Sequence, residues 1–246
     1  MCYSILLEFC SSKIVIVPAL ILCFGDTGMD LGFFRGFSDS GSPMTFKGFF
    51  EETLGPALLG GVVSFDIETF SPHGFPYNAE DPVVNYSLVV PMREFGLLAI
   101  SAIGSPEAEA DLLRLLSGLL VAFKGSYLLT YNGAKFDLGY VTRRGSLYGL
   151  NFEEIFDIQR HVDVYQLVRW LGVRLPCYSQ KSVEKALGIK RAVLDVSGRN
   201  YCRVYRNFIK YGDLTPLFYN LEDSFGCLRI AKAILRFPRR AKDGMG

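Results

Sequence analysis

Histidine is scarce in this chain of 246 residues: only His73 and His161 are present. A mechanism that needs a histidine base, or a metal site built from several imidazoles, therefore has few candidates. The six cysteines, at positions 2, 10, 23, 177, 202 and 227, include no CxxC pair and no histidine partner at zinc-finger spacing. They read as free, mostly buried thiols of a reducing cytoplasm, and cytoplasmic location is the expectation. A long hydrophobic run is also missing. The apolar stretch from Ile14 to Phe24 is 11 residues and is interrupted by Pro18, too short to cross a bilayer. Only Lys13 precedes it as a basic flank and no clean small-residue cleavage site follows, so it makes a poor signal peptide. Stable membrane insertion is not expected. No internal repeat or low-complexity tract is visible.

What is present is a chain half hydrophobic and 21% charged, long enough for one compact domain with an extension. Its net charge of +1 hides an asymmetry. Residues 1–139 carry 7 Lys/Arg against 15 Asp/Glu, a net −8, whereas residues 140–246 carry 19 against 10, a net +9. A basic half suggests a polyanionic partner; solvated helix faces would give the same count, and charge alone does not choose.

Residues 1–60 are expected to be a poorly specified extension. The preferred account is a start assigned too far upstream, with translation beginning at Met29 or Met44; the other is an interaction or membrane-surface element. The globular pattern begins at Gly61. Val62 to Ile67 reads as a buried strand, and strands at Val83 to Val90 and Phe95 to Ile103, joined by a turn near Met92-Arg93-Glu94, make an antiparallel three-strand start. Ser105-Pro106-Glu107 signals a helix start, with the helix running to about Lys124. Tyr127 to Tyr131 reads as a strand, Phe136 to Tyr148 as a helix and Ile155 to Val162 as extended. Helices are expected at Asp163 to Leu171, Ser179 to Leu187, Arg199 to Tyr211 and Pro216 to Phe237. This order predicts an α/β fold, a mixed sheet with helices on its faces.

Three short patterns carry candidate chemistry. Asp66 and Glu68 lie two apart on the first of these strands, so both carboxylates project from one face. Side by side they repel unless a cation intervenes; a strand end turning into solvent would carry the same pair. Asn132 to Asp137 leaves the end of a buried strand and enters a helix, placing Asp137 in a first turn beside the strand ends, where a plain dipole-complementing acid would also sit. Tyr219 and Asp223, four apart in a late helix, share one helix face.

In the order DxE, NxxxFD, YxxxD, these patterns resemble the Exo I, Exo II and Exo III motifs of the proofreading exonuclease domain of family B DNA polymerases, a DEDDy-type 3′-to-5′ exonuclease of the ribonuclease H-like superfamily. FDIETF and TYNGAKFDLGYVTRR are close to that family, as are Asp163-Val164-Tyr165, Tyr178-Ser179 and the run from Val183 to Gly188. The resemblance spans about residues 61–236. It implies a ribonuclease H-like mixed sheet of five to six strands flanked by helices, with an exonuclease domain over residues 61–240. It further implies two divalent cations, Mg²⁺ or Mn²⁺, held by Asp66, Glu68, Asp137 and Asp223, with Tyr219 aligning the attacking water. Asn132 and Phe136 would lie at the substrate, although Phe136 suits the core at least as well.

The substrate implied is the 3′ end of single-stranded nucleic acid, DNA before RNA, with a polymerase or repair complex as a partner in trans. An RNA 3′-end trimming enzyme and a non-catalytic nucleic-acid-binding module on the same fold are the alternatives. Tyr201, Tyr205 and Tyr211, interleaved with basic residues, are candidates either for a single-strand channel or for a buried helix face. His161 is expected to be structural.

Overall fold

The computed structural model describes residues 14–21, 61–92, 96–172 and 175–234; for 14–21, 92 and 96 this is backbone placement only. The strands are β1 (Ile14–Ile21), β2 (Val62–Thr69), β3 (Val83–Met92), β4 (Gly96–Gly104), β5 (Tyr127–Thr130) and β6 (Arg160–Asp163). The helices are α1 (Glu109–Ala122), α2 (Asp137–Ser146), α3 (Phe152–Asp157), α4 (Val164–Trp170), α5 (Gln180–Ala186), α6 (Tyr201–Tyr211) and α7 (Thr215–Ile234). The strands form one mixed sheet in the order β1-β4-β3-β2-β5-β6. β2, β3 and β4 are antiparallel, as expected, while β5 and β6 run parallel to β2. The expected turn at 93–95 lies outside the described residues, although the flanking Met92 and Gly96 pair directly.

Alternation along β2 divides the molecule. Val63, Phe65 and Ile67 enter a core formed with α1, α2 and α3. The intervening Ser64, Asp66 and Glu68 belong to the other face, where α7 crosses β2, β3 and β4. Under α7 that face is small and polar. Ser87 bonds Ser224 and the Asn220 carbonyl at 2.7 and 2.8 Å, and the Asn85 amide donates to the Pro216 carbonyl at 2.9 Å. Small side chains let the helix lie close to the sheet, and each buried polar atom so paired avoids a desolvation cost of about 1–3 kcal/mol.

Most helix boundaries follow the sequence signals. Ser105 precedes a short 3-10 turn, Pro106–Ala108, that leads into α1. Residues 155–157 differ from expectation: they are helical, not extended. Asn151 caps α3 by accepting from the Glu154 N–H at 3.3 Å, and Phe152 and Phe156, four apart, face the core together. A capped i, i+4 aromatic pair outweighs the extended preference of a short apolar run. The expected helix to Phe237 is described as far as Ile234. The Ile14–Ile21 segment pairs antiparallel with β4 at the sheet edge, where the missing N–H of Pro18 is tolerated.

Tyr201 and Tyr205 are core residues. Tyr201 accepts from the Asn85 amide at 3.2 Å, and Tyr205 donates to the Gly104 carbonyl at 2.7 Å. They are therefore not channel residues; Tyr211, in contrast, is exposed. His161 is bonded to Thr130 at 2.9 Å across the β5–β6 pair, a structural position.

Glu109, fully buried, ties the first helix to the sheet. Its carboxylate accepts from the Val83 N–H at 2.7 Å, the Tyr148 hydroxyl at 2.6 Å and the Arg144 guanidinium. Removing it leaves the half-buried Arg144 guanidinium, the Tyr148 hydroxyl and the Val83 N–H at the start of β3 without their partner. Glu109→Ala is expected to lose about 3–5 kcal/mol of unfolding free energy, read as a lower urea midpoint; an unchanged midpoint would show that this network contributes nothing.

Candidate metal centre

The end of β2, the start of α2 and the middle of α7 converge at one place. Asp66, Glu68 and Asp223 each offer a carboxylate oxygen, and these oxygens all lie within 4.8 Å of one another. Asp66 and Glu68 are half-buried, as befits the floor of a cleft, and Asp223 is buried. Asp137 stands slightly apart from this trio. It is buried at the first position of α2 and accepts from the Ile67 N–H, between the two β2 acids, at 3.3 Å.

The approach of Asp137 depends on the preceding loop. Asn132 has a left-handed backbone, φ +64°. At Gly133 a Cβ would lie 2.4 Å from that of Thr130, so only glycine fits. Asp163, at the end of β6, holds the turn by accepting from the N–H groups of Asn132 at 2.9 Å and Ala134 at 3.3 Å; it also caps α4 through Tyr165 N–H at 3.0 Å.

Gathering four acids raises their pKa values. Asp66 is pushed well up, first by burial and then by Asp137, Asp223 and Glu68. Glu68 is pushed up by burial and then by Asp223 and Asp137. Burial lifts Asp137 to about 7 despite the opposing backbone hydrogen bonds. Asp223 is raised by burial and held back chiefly by Arg191. The Tyr219 phenol, also buried, is raised by burial and by Asp223, so it remains a protonated O–H.

Several residues that the sequence patterns do not single out hold the acids. The Asn220 amide donates to Asp66 at 2.7 Å. Arg191 reaches Asp223 at 2.7 Å, Glu184 at 2.9 Å and Glu222 at 3.3 Å. Its guanidinium also lies 5.6 Å from the centre of the Tyr219 ring, and the Lys181 ammonium 4.9 Å. Gln180 donates to the Asp223 carbonyl at 2.7 Å and to Glu184 at 3.0 Å. Glu184 can come this close to α7 because position 226 is glycine: a Cβ there would fall 1.8 Å from its oxygen. Asn220 was recoverable from sequence, since it lies three residues before Asp223 on the same helix face. Arg191 was not, because its partners come from α5 and α7.

The sequence-predicted residues are thus brought together. Asp66, Glu68 and Asp223 cluster, Asp137 flanks them, and Tyr219 lies one turn before Asp223. Phe136 is half-buried between Tyr140, at 4.9 Å, and Phe75, at 5.2 Å. Phe75, on the loop after β2, is exposed and also stacks near Tyr77. Asn132 is partly open. The donor set fits a hard divalent cation: it is all carboxylate oxygen, and its members repel in the absence of positive charge.

The chain belongs to the RNase H superfamily, whose family model matches residues 63–234. None of the curated proteins compared matches it in sequence. Similar solved structures include the family B DNA polymerase from the hyperthermophilic archaeon Pyrobaculum calidifontis, at 20% identity and TM-score 0.57 over 72% of this chain and 24% of that one. Exonuclease I is similar at 14% identity and TM-score 0.52, over 71% and 40%. E. coli exonuclease I in complex with a 5cy-dA13 oligonucleotide is similar at 14% and 0.50, over 74% and 41%. The chain spans less than half the length of each of these structures. At such identities the likeness is one of fold. Among the described residues, no helix is long and apolar enough to cross a membrane.

The raised pKa of Asp137 sets a pH dependence. The folded state binds this proton more tightly than the unfolded chain, whose ordinary value is 3.8. That contribution to stability is present below about pH 4 and is lost as pH rises through about 7. Without divalent cations, the melting temperature is expected to fall across this interval, with a shallower fall in Asp137→Asn. Excess Mg²⁺ or Mn²⁺ should raise the melting temperature most above pH 7, where Asp137 is ionised. Equal slopes for the two proteins would show that the pH dependence does not come from Asp137.

Proposed function

We propose that the chain is a metal-dependent 3′-to-5′ exonuclease of the DEDDy type, acting on the 3′ end of single-stranded nucleic acid, with DNA preferred. The observation that carries this reading is the convergence of Asp66, Glu68 and Asp223 within 4.8 Å, flanked by Asp137. Acids drawn from a strand, a strand-to-helix turn and a late helix have no evident structural reason to be gathered in a cleft. Asp66, Glu68 and Asp223 would hold one Mg²⁺ or Mn²⁺, and Asp66 with Asp137 a second. Bound there, two divalent cations supply the positive charge that stabilises an in-line displacement at phosphorus.

The protein's own groups do the positioning. Asn220 fixes the Asp66 carboxylate and Arg191 fixes Asp223, so the ligand oxygens are held before substrate arrives. Tyr219 stays protonated, which suits a donor that orients water and rules against a phenolate base at neutral pH. The Lys181 ammonium, 4.9 Å from the centre of the Tyr219 ring, adds positive charge beside the acids, where a phosphate oxygen gains from it, while Arg191 is committed to its three carboxylates. The exposed Phe75 ring, backed by Phe136, offers the terminal base an aromatic face. A polymerase or repair complex that supplies 3′ ends would be the partner in trans.

The reading is tested with 5′-labelled single-stranded DNA and RNA oligonucleotides in Mg²⁺, Mn²⁺ or EDTA. A ladder shortening from the 3′ end is expected with metal and not with EDTA. Asp66→Ala is expected to abolish it, and Tyr219→Phe to leave residual turnover with metal binding retained. Unchanged turnover in Asp66→Ala would remove the site assignment. Binding without cleavage under every metal would make the chain a nucleic-acid-binding module, and faster cleavage of RNA would make it an RNA-trimming enzyme.

A further inference from the structure

Beside the acid cluster, across the Asn132 loop, lies a pocket of about 550 Å³ whose walls include the rings of Tyr131, Tyr165 and Tyr178. Tyr131 and Tyr165 meet edge to face at 5.9 Å, and the Tyr131 hydroxyl donates to the Tyr178 carbonyl at 2.7 Å, so the aromatic wall is braced before anything binds. Asn132, Lys135 and Gln180 are among its other lining residues, and among the described residues no carboxylate lines it. Two cations attend the pocket. Lys135 lines it, and Arg169 lies over the Tyr178 ring at 4.7 Å and the Tyr165 ring at 6.0 Å. Among the described residues, neither cation has a carboxylate within ion-pair distance, and the Asn132 side-chain amide makes no hydrogen bond.

The pocket joins the acid cluster at two points. Gln180 lines the pocket and donates to the Asp223 carbonyl, and the loop that begins at Asn132 ends at Asp137. Gln180 spends its N–H groups on Asp223 and Glu184, which leaves its amide oxygen as the acceptor.

We infer that this pocket seats an unpaired nucleobase of the polynucleotide, upstream of the nucleotide whose phosphodiester lies at the acids. The inference rests on the exonuclease reading and deepens it. A volume of this size suits a small planar ligand. An exposed aromatic face takes any base by stacking, and cations at the wall without a carboxylate partner take the phosphates on either side. The neighbouring acids repel those phosphates, so a strand entering the cleft needs such a carboxylate-free place to hold. The Asn132 amide and the Gln180 amide oxygen can meet a base edge.

The test uses single-stranded DNA with 2-aminopurine placed in turn at each of the last five positions from the 3′ end, titrated with the full-length protein in EDTA so that no cleavage occurs. Free 2-aminopurine deoxyribonucleoside monophosphate is titrated in parallel. Stacking is expected to quench fluorescence most at one interior position. Tyr178→Ala is expected to remove that quench and weaken strand binding roughly 5- to 100-fold, while Tyr178→Phe retains both.

The Tyr131 bond goes to the backbone of Tyr178, so the alanine variant keeps that brace; its fold is checked by circular dichroism and melting temperature. Tyr165→Ala provides an independent second variant with the same expectation. Quenching at the interior position that survives both alanine variants would overturn the inference. So would quenching by the monophosphate with none by the interior base, which would make the pocket a mononucleotide seat. Hydrolysis is assayed separately with Mg²⁺ on the same preparation, so an inert protein that still shows Tyr178-dependent quenching counts against the nuclease reading and not against the pocket.

Discussion

Repulsion among Asp66, Glu68, Asp137 and Asp223 is the constraint to which the surrounding structure responds. Burial and proximity each raise the free energy of the charged forms. The fold opposes this with directed donors: the Ile67 N–H for Asp137, the Asn220 amide for Asp66 and the Arg191 guanidinium for Asp223. Each donor is itself fixed by other contacts. Ile67 is a core strand residue, Asn220 belongs to the helix that lies on the polar seam, and Arg191 is held by the buried Glu184 and by Glu222. The dense bonding around the cleft is thus a consequence of the need to hold like charges together.

The same constraint explains where glycine is unavoidable. Gly133 lets the loop before α2 turn tightly over Thr130, and Gly226 lets Glu184 lie against α7. Neither glycine touches the acids. Gly133 sets the path to Asp137, and Gly226 sets the position of the carboxylate that anchors Arg191. Chemistry at the cleft is coupled to packing behind it through two missing methyl groups.

The parts of the site legible in the sequence are those set by local periodicity. Two-residue alternation places Asp66 and Glu68 together, the strand-to-helix turn places Asp137, and the four-residue helical spacing places Tyr219 with Asp223. The general order of strands and helices follows from the same signals. What the sequence did not disclose depends on tertiary approach. Arg191 finds its acids across two helices, Asp163 captures a loop some thirty residues away, and Tyr131, Tyr165 and Tyr178 meet only when β5, α4 and the segment before α5 come together. Tyr201 and Tyr205 show the opposite limit: their spacing among basic residues allowed a surface role, and hydrogen bonds to Asn85 and Gly104 place them inside. At 155–157 a capped aromatic pair outweighed the apparent extended pattern.

The polar seam beneath α7 carries a consequence for assembly. The Asn220–Asp66 bond joins residues 154 apart in sequence, and the Ser87–Ser224 bond residues 137 apart. Closing loops of that length is slow compared with forming local helices, so the docking of α7 is a late event. A chain interrupted during synthesis before Asn220 has two of the three clustered carboxylates and lacks the amide that aims the first. Any metal affinity at the cluster, and any hydrolytic capacity that depends on it, therefore waits for the docking of α7 and is absent from incomplete chains.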